Sequence, residues 1–425
     1  MKLRRSAEFF WKNKDYAKTS KAAFYEAAFC MMKLTEKGNC DTIYLLGTLK
    51  GWRKNVGVIR DRLNGYIKNG DIACGSILVR KCGEIVCEEY LGYADVEQKT
   101  AVTKDSVFRL ASMTKPVTAA AILILAGEGK LALTDPISEY VPEFESMAVA
   151  VSAENGKVET VPANRPLTIE DLLRHRSGIG HGGISADLGI NRTEDGMTLI
   201  ERTKYIASFP LDFQPGTEAG YSARCAFDVL GRIIEVAGGM RMEDFLKERF
   251  FDPLSMTDTT FYPNEDQKRR TVRLYSRASG VLVDSYPAGK YASPFAFSYP
   301  CGSGGLSGTL SDYDKFVQML SGRSVRILPD DAIRRMASAD ATLPSPKGAW
   351  GLGVYVFNGK SISGRGLAQG CFGWSGAFGT HFYIDPVNDV TMTLMVNRMD
   401  IGGSGSYVSF GMEEAVFEEL KLKEA

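Results

Sequence analysis

The sequence predicts a mixed α/β fold of the α+β type: an antiparallel sheet built from both chain ends, flanked by the terminal helices, with a mostly helical lobe inserted. Strand patterns occur near residues 75–90 and again after 351, while the residues between read mainly as helices and loops. Residues 390–397 alternate strictly, with Val390, Met392, Leu394 and Val396 on one side and Thr391, Thr393 and Asn397 on the other. That is the period-2 signature of a strand with two different faces. No βαβ alternation runs along the chain, so a doubly wound sheet is excluded.

Taken in order, residues 1–54 form an N-terminal extension of unassigned role, and residues 55–425 the main domain. Its sheet lobe takes in about 55–110 and 340–425, and its helical lobe about 111–339. Val56 to Ile67 carries apolar residues at helical spacing and stops at Gly70-Asp71. Residues 75–80 and 84–90 read as a hairpin joined by Lys81-Cys82-Gly83. A helix from Ser112 to Leu125 is apolar on nearly all sides, so it belongs in the interior. Further helices are expected over Leu167–Arg176, after Tyr221-Ser222, over Glu243–Phe250, after Ser311-Asp312 and over Asp330–Ala337, while 262–300 reads as irregular. Gly351–Phe357 and Thr380–Ile384 read as strands, and a closing helix runs from about Met412 to Leu422.

Composition narrows the function classes. The chain has 51 basic and 51 acidic residues among 425, so no net charge points to nucleic acid or an anionic membrane. No apolar run is long and uncharged enough to span a bilayer. The basic start (Lys2, Arg4, Arg5) is followed by an apolar run that Glu26 interrupts and that lacks a small-residue cleavage pattern, so no signal peptide is read. Eight scattered cysteines without a Cys-x-x-Cys are expected as free, buried thiols in a cytoplasmic protein. No metal-binding spacing occurs, and neither a metal nor a cofactor is expected.

The chemistry-bearing stretch is Ser112-Met-Thr-Lys115, the one Ser-x-x-Lys in the chain. On a helix these side chains share a face, so the amine can take the proton that makes a serine hydroxyl nucleophilic. Tyr221 follows a Pro-Gly turn and is a second proton carrier, since a phenol near an ammonium ionises more readily. Gly373-Trp374-Ser375-Gly376-Ala377 enters an expected edge strand, where glycines let a substrate approach the backbone. There the Ala377 N–H could join that of Ser112 as an oxyanion site. No Gly-x-Ser-x-Gly occurs. The three histidines (His175, His181, His381) lie in no triad motif, and His175 is expected to fix a loop.

The order Ser112-Met-Thr-Lys115, Tyr221-Ser222, Trp374-Ser375-Gly376 resembles the serine β-lactamase-like superfamily, in the branch of class C β-lactamases and DD-peptidases, and is most similar to family VIII carboxylesterases. Phe108–Ser112, Gly129–Pro136, Leu172–Gly178 and Gly304–Gly308 add to the likeness, which covers about 55–425. The resemblance implies a β-lactamase/transpeptidase-like fold and a cofactor-free reaction. Ser112 is then the acylated nucleophile, and Lys115 and Tyr221 are its proton carriers. Ser112 and Ala377 donate to the oxyanion, and Trp374, Ser375 and Gly376 lie along the substrate.

Two positions depart from the β-lactamase pattern: Ala223 stands where the family's Asn holds an acylamide, and Trp374 where its Lys attracts a carboxylate. Both changes favour a neutral small-molecule ester of short or medium acyl chain, with weak β-lactam hydrolysis or acyl transfer as side activities. The alternatives are a β-lactamase or D-amino-acid peptidase, and a catalytically silent binding protein on the same fold. Nothing in the sequence sets an oligomeric state.

Overall fold

The computed structural model describes residues 57–154, 157–285, 298–343, 348–358, 367–403 and 405–422. The N-terminal extension therefore lies outside the described residues. In chain order the strands are β1 (Cys74–Lys81), β2 (Glu84–Asp95), β3 (Thr100–Ala101), β4 (Phe108–Arg109), β5 (Ala148–Glu154), β6 (Lys157–Pro162) and β7 (Tyr275–Ala278). They continue with β8 (Val281–Asp284), β9 (Ser307–Gly308), β10 (Gly348–Trp350), β11 (Tyr355–Phe357), β12 (Phe372–Ser375), β13 (His381–Asp385) and β14 (Val390–Val396). The helices that frame the site are α1 (Val58–Lys68), α2 (Thr114–Gly127), α3 (Leu199–Ala207), α4 (Ala226–Gly238), α5 (Leu310–Leu320) and α6 (Tyr407–Glu419).

Eight strands form the main sheet in the order β10-β11-β12-β13-β14-β1-β2-β3, every pair antiparallel. The last strand in sequence thus pairs with the first, Ile77 opposite Leu394, and both chain ends build one sheet. Period-2 alternation sets its two faces. Ile77, Val79, Met392, Leu394 and Val396 pack with Ile59 and Leu63 of α1 and Val408, Met412 and Val416 of α6. Leu78, Phe382, Ile384 and Met395 face the other way, into the core that holds α2, α4 and α5. On that face Thr391 accepts a hydrogen bond from Gln318 of α5, and Asn397 donates to the Val272 carbonyl, so two of the buried polar side chains at this strand have partners.

Helix α2 is the pivot. Every residue from Thr114 to Leu125 is buried, in keeping with its apolar sequence. Each large aliphatic side chain placed there stabilises the fold by about 1.5–3 kcal/mol. Pro116 sits in the first turn, where a missing N–H breaks no intrahelical bond.

Several sequence expectations need correction. Ser112 does not open α2; it lies in a 3-10 turn, Ala111–Met113, just ahead of it. The expected strand Gly351–Phe357 is confined to β11, because Gly353 takes a φ of 76° and the chain turns there, Gly351 N–H bonding to the Val354 carbonyl. The helix expected over Leu167–Arg176 is only Ile169–Leu173, ended as His175 adopts a φ of 55°. The stretch 262–300 contains a helix, Glu265–Arg270, and the β7–β8 hairpin, and the β5–β6 hairpin was not anticipated. The strand that follows Phe372 is interior, between β11 and β13, and carries Trp374 and Ser375 within it. Cys74, Cys87, Cys225, Cys301 and Cys371 are free and buried as expected, whereas Cys82 is disulfide-bonded. Among the described residues no helix is long and apolar enough to cross a membrane.

Candidate active site

The turn that carries Ser112 is clamped from three sides. Its Ala111 holds a φ of 47°, a left-handed conformation that a non-glycine residue keeps only under surrounding constraint. The constraint is visible: Leu110 N–H bonds to the Leu306 carbonyl, Thr380 Oγ1 donates to the Leu110 carbonyl at 3.0 Å, and Tyr313 OH donates to the Met113 carbonyl at 2.8 Å. The glycine-rich loop, the residue ahead of β13 and α5 thereby fix one short segment.

Lys115 follows one turn on, fully buried, with its ammonium 3.3 Å from Ser112 Oγ. It also donates to the carbonyls of Ala223 at 2.8 Å and Ser303 at 2.7 Å. Three acceptors therefore surround a group with three donor positions, which offsets the cost of burying it. Tyr221 OH lies 2.8 Å from Ser112 Oγ, and its ring is 5.1 Å from the Lys115 nitrogen. The structure thus brings Ser112, Lys115 and Tyr221 to one point.

Tyr221 is held by aromatic packing. It stacks on Trp350 with centroids 5.5 Å apart and an angle of 5°, and meets Trp374 at 5.1 Å and His175 at 4.8 Å. His175 accepts the Ser222 N–H on Nδ1 at 3.1 Å, and its carbonyl accepts the Gly220 N–H, so it grips the chain on both sides of Tyr221. Burial, and then the Lys115 charge, hold its pKa well below the ordinary imidazole value, so it is a neutral acceptor there. The loop-fixing role expected of His175 is thereby specific: it fixes the tyrosine.

A cavity of about 340 Å³ opens on this cluster, lined among others by Ser112, Tyr221, Ala223, Trp374, Ser375 and Ala377. The Ser112 and Ala377 amides carry no backbone hydrogen bond among the described residues. Gly376 is where the strand meets the serine turn: a Cβ there would lie 2.1 Å from Thr380 Oγ1 and 2.2 Å from the Leu110 carbonyl oxygen. Only a glycine permits that approach.

Ser375 has a different setting from the other lining residues. Its hydroxyl is 2.7 Å from His381 Nδ1, and His381 Nε2 is 2.9 Å from Glu413 of α6. The second contact is close but lacks the alignment of a hydrogen bond. All three residues are buried, and they tie β12 through β13 to the terminal helix. No motif in the sequence marks His381 or Glu413. Trp350 at the end of β10, and Ser303 and Arg224 on loops, also surround the cluster, and no local spacing relates them to it.

A chain with this sheet and this cavity is a serine hydrolase of the β-lactamase fold. It belongs to the Beta-lactamase family, whose model matches residues 59–415. An uncharacterized protein of Mycobacterium tuberculosis is 33% identical over 72% of this chain and 81% of its own length. Esterase EstB of Burkholderia gladioli is 29% identical over 80% of this chain and 89% of its own. The solved structure of EstCE1, a hydrolase with promiscuous acyltransferase activity, superposes with a TM-score of 0.75 at 23% identity, covering 86% of this chain and 99% of that one.

Proposed function

We propose that the protein is a serine carboxylesterase that hydrolyses neutral esters of short or medium acyl chain through an acyl-enzyme on Ser112. The observation that carries this is the convergence of Tyr221 OH at 2.8 Å and Lys115 Nζ at 3.3 Å on one serine oxygen. The esterase named among its relatives supports the same reading.

In this reaction Ser112 Oγ attacks the ester carbonyl while its proton passes to the Lys115–Tyr221 pair, which enters the step one proton short and so has a lone pair to take it. Two carbonyls occupy two of the Lys115 proton positions, so the third, facing Ser112, is the one at which a proton is exchanged. The Ser112 and Ala377 amides receive the oxyanion. Tyr221, in contact with Ser112, hands a proton to the leaving alkoxide, and the same groups then activate water against the acyl-serine. Trp374 and Ala223 give the cavity an apolar wall where an ammonium and a carboxamide would recognise a β-lactam or peptide. That favours a neutral ester over both.

The test is to offer p-nitrophenyl butyrate and a chromogenic cephalosporin in parallel to the wild type and to Ser112→Ala. Faster ester turnover that Ser112→Ala abolishes is expected. Faster cephalosporin turnover would reverse the substrate assignment, and absence of Ser112 acylation by either would sink the enzyme reading.

A further inference from the structure

Arg202 of α3 and Asp228 of α4 form an ion pair that is fully buried and that the proposed reaction does not itself use. Such a pair survives burial only when its remaining donors and acceptors are satisfied. Here they are. Arg202 donates through Nη1 to the carbonyls of Ile190 and Arg192, and through Nη2 to the Arg224 carbonyl at 3.1 Å and Cys225 Sγ at 3.3 Å. Asp228 accepts from Tyr299 OH, Cys301 Sγ and the Ser303 N–H, each at 3.1 Å. Burial, and then the Asp228 charge, raise the Tyr299 phenol and the Cys301 thiol above their ordinary pKa values, so both stay protonated and donate.

Two of these contacts fall beside Lys115. The Ser303 N–H is bound by Asp228 while the Ser303 carbonyl accepts from Lys115. The Arg224 carbonyl is bound by Arg202 while the carbonyl of Ala223, one residue earlier, accepts from Lys115. One ion pair thus holds both backbone segments that cradle the ammonium, one from the glycine-rich loop and one from the Tyr221 turn.

We propose that Arg202 and Asp228 are positioning residues for Lys115, setting the two carbonyls that aim its third proton position at Ser112. The inference rests on the acyl-enzyme reading above. It differs from a packing role in its consequence. If the pair only stabilised the fold, a folded variant would keep the rate and pH response of acylation. If it sets the Lys115 cradle, a folded variant changes both. The other titratable or charged groups around Lys115 are Tyr221, His175, Cys301 and, lining the same cavity, Arg224, with Asp228 and Arg202 behind the cradle.

The experiment measures the p-nitrophenol burst from p-nitrophenyl butyrate between about pH 5 and about pH 10, where lysine, histidine and tyrosine protonation can be separated. It compares wild type, Asp228→Asn and Tyr299→Phe, each checked for native circular dichroism. Asp228→Asn should slow acylation roughly tenfold or more and displace a limb of the pH profile, with KM little changed. Tyr299→Phe, which removes one neutral donor, should show a smaller fall of the same kind. Undiminished ester turnover by Ser112→Ala would sink the acyl-enzyme reading itself. A normal wild-type burst with unaltered acylation rate and pH limbs in the folded variants would overturn this inference. Should Asp228→Asn fail to fold, Tyr299→Phe decides by the same criterion.

Discussion

Tyr221 and Ser112 stand 109 residues apart in sequence, yet their oxygens are 2.8 Å apart. No other tyrosine is placed to exchange a proton with that serine among the hydrogen bonds of the described residues. Tyr221→Phe keeps the ring and its stacking on Trp350 while removing the hydroxyl. Its kcat for p-nitrophenyl butyrate should fall by about 10²–10⁴, the usual contribution of a positioned proton carrier. Lys115→Ala should lose a comparable factor, and near-normal turnover in either variant would remove that residue from the mechanism.

His175 predicts a pH dependence of stability. Its folded-state pKa is pushed well below 6.5 by burial, with the Lys115 charge adding to the effect. The unfolded chain therefore binds the proton first, and between the two pKa values it holds more protons than the folded one. This contribution is complete above about pH 7 and declines as pH falls through 6.5, by up to about 1.4 kcal/mol per unit, until the folded imidazole also titrates. His175→Asn tolerates the left-handed backbone and lacks the titration. Urea midpoints at about pH 5 and pH 7.5 should differ less in this variant than in the wild type, and an equal difference would refute the assignment.

Gly376→Ala tests the meeting of β12 with the serine turn. The added methyl would overlap Thr380 Oγ1 and the Leu110 carbonyl, forcing apart the strand and the segment bearing Ser112. Destabilisation of about 1–3 kcal/mol is expected, as for other overpacked sites, together with loss of esterase activity. A variant with unchanged urea midpoint and rate would show that the approach is not needed.

Trp374→Lys restores an ammonium where the chain has an aromatic wall. Trp374 packs on Trp350 at 4.5 Å and on Tyr221 at 5.1 Å, so the change removes apolar surface from both. KM for p-nitrophenyl butyrate should rise about tenfold, as expected when roughly 1.4 kcal/mol of apolar contact is lost. Selectivity should move toward substrates with a carboxylate. Steady-state kinetics on matched neutral and acidic esters would show it, and an unchanged ratio would disprove the role of the wall.

The sheet was legible because its central strands have two chemically distinct faces. Val390, Met392, Leu394 and Val396 against Thr391 and Thr393 can be read off as a strand, and the structure buries both sets on opposite sides. Ser112 and Lys115 were legible because a local spacing of three residues brings them together. Tyr221 and Trp374 depended on the order of motifs along the chain, since no local rule relates residues that meet through tertiary packing. Arg202, Asp228, His381 and Glu413 were not legible. A buried ion pair looks in sequence like any charged residue on a helix, and only the fold shows that Arg202 on α3 faces Asp228 on α4. Glycines such as Gly353 were misread as strand residues because their sequence neighbours are apolar, while a positive φ turns the chain.

Trapping the covalent intermediate asks whether Ser112 is the nucleophile. The protein is mixed with p-nitrophenyl butyrate, quenched in acid within the burst, digested and mapped by mass spectrometry. A butyryl group is expected on the peptide containing Ser112, and none in Ser112→Ala. An acyl group on Ser375 instead, or undiminished turnover by Ser112→Ala, would contradict it.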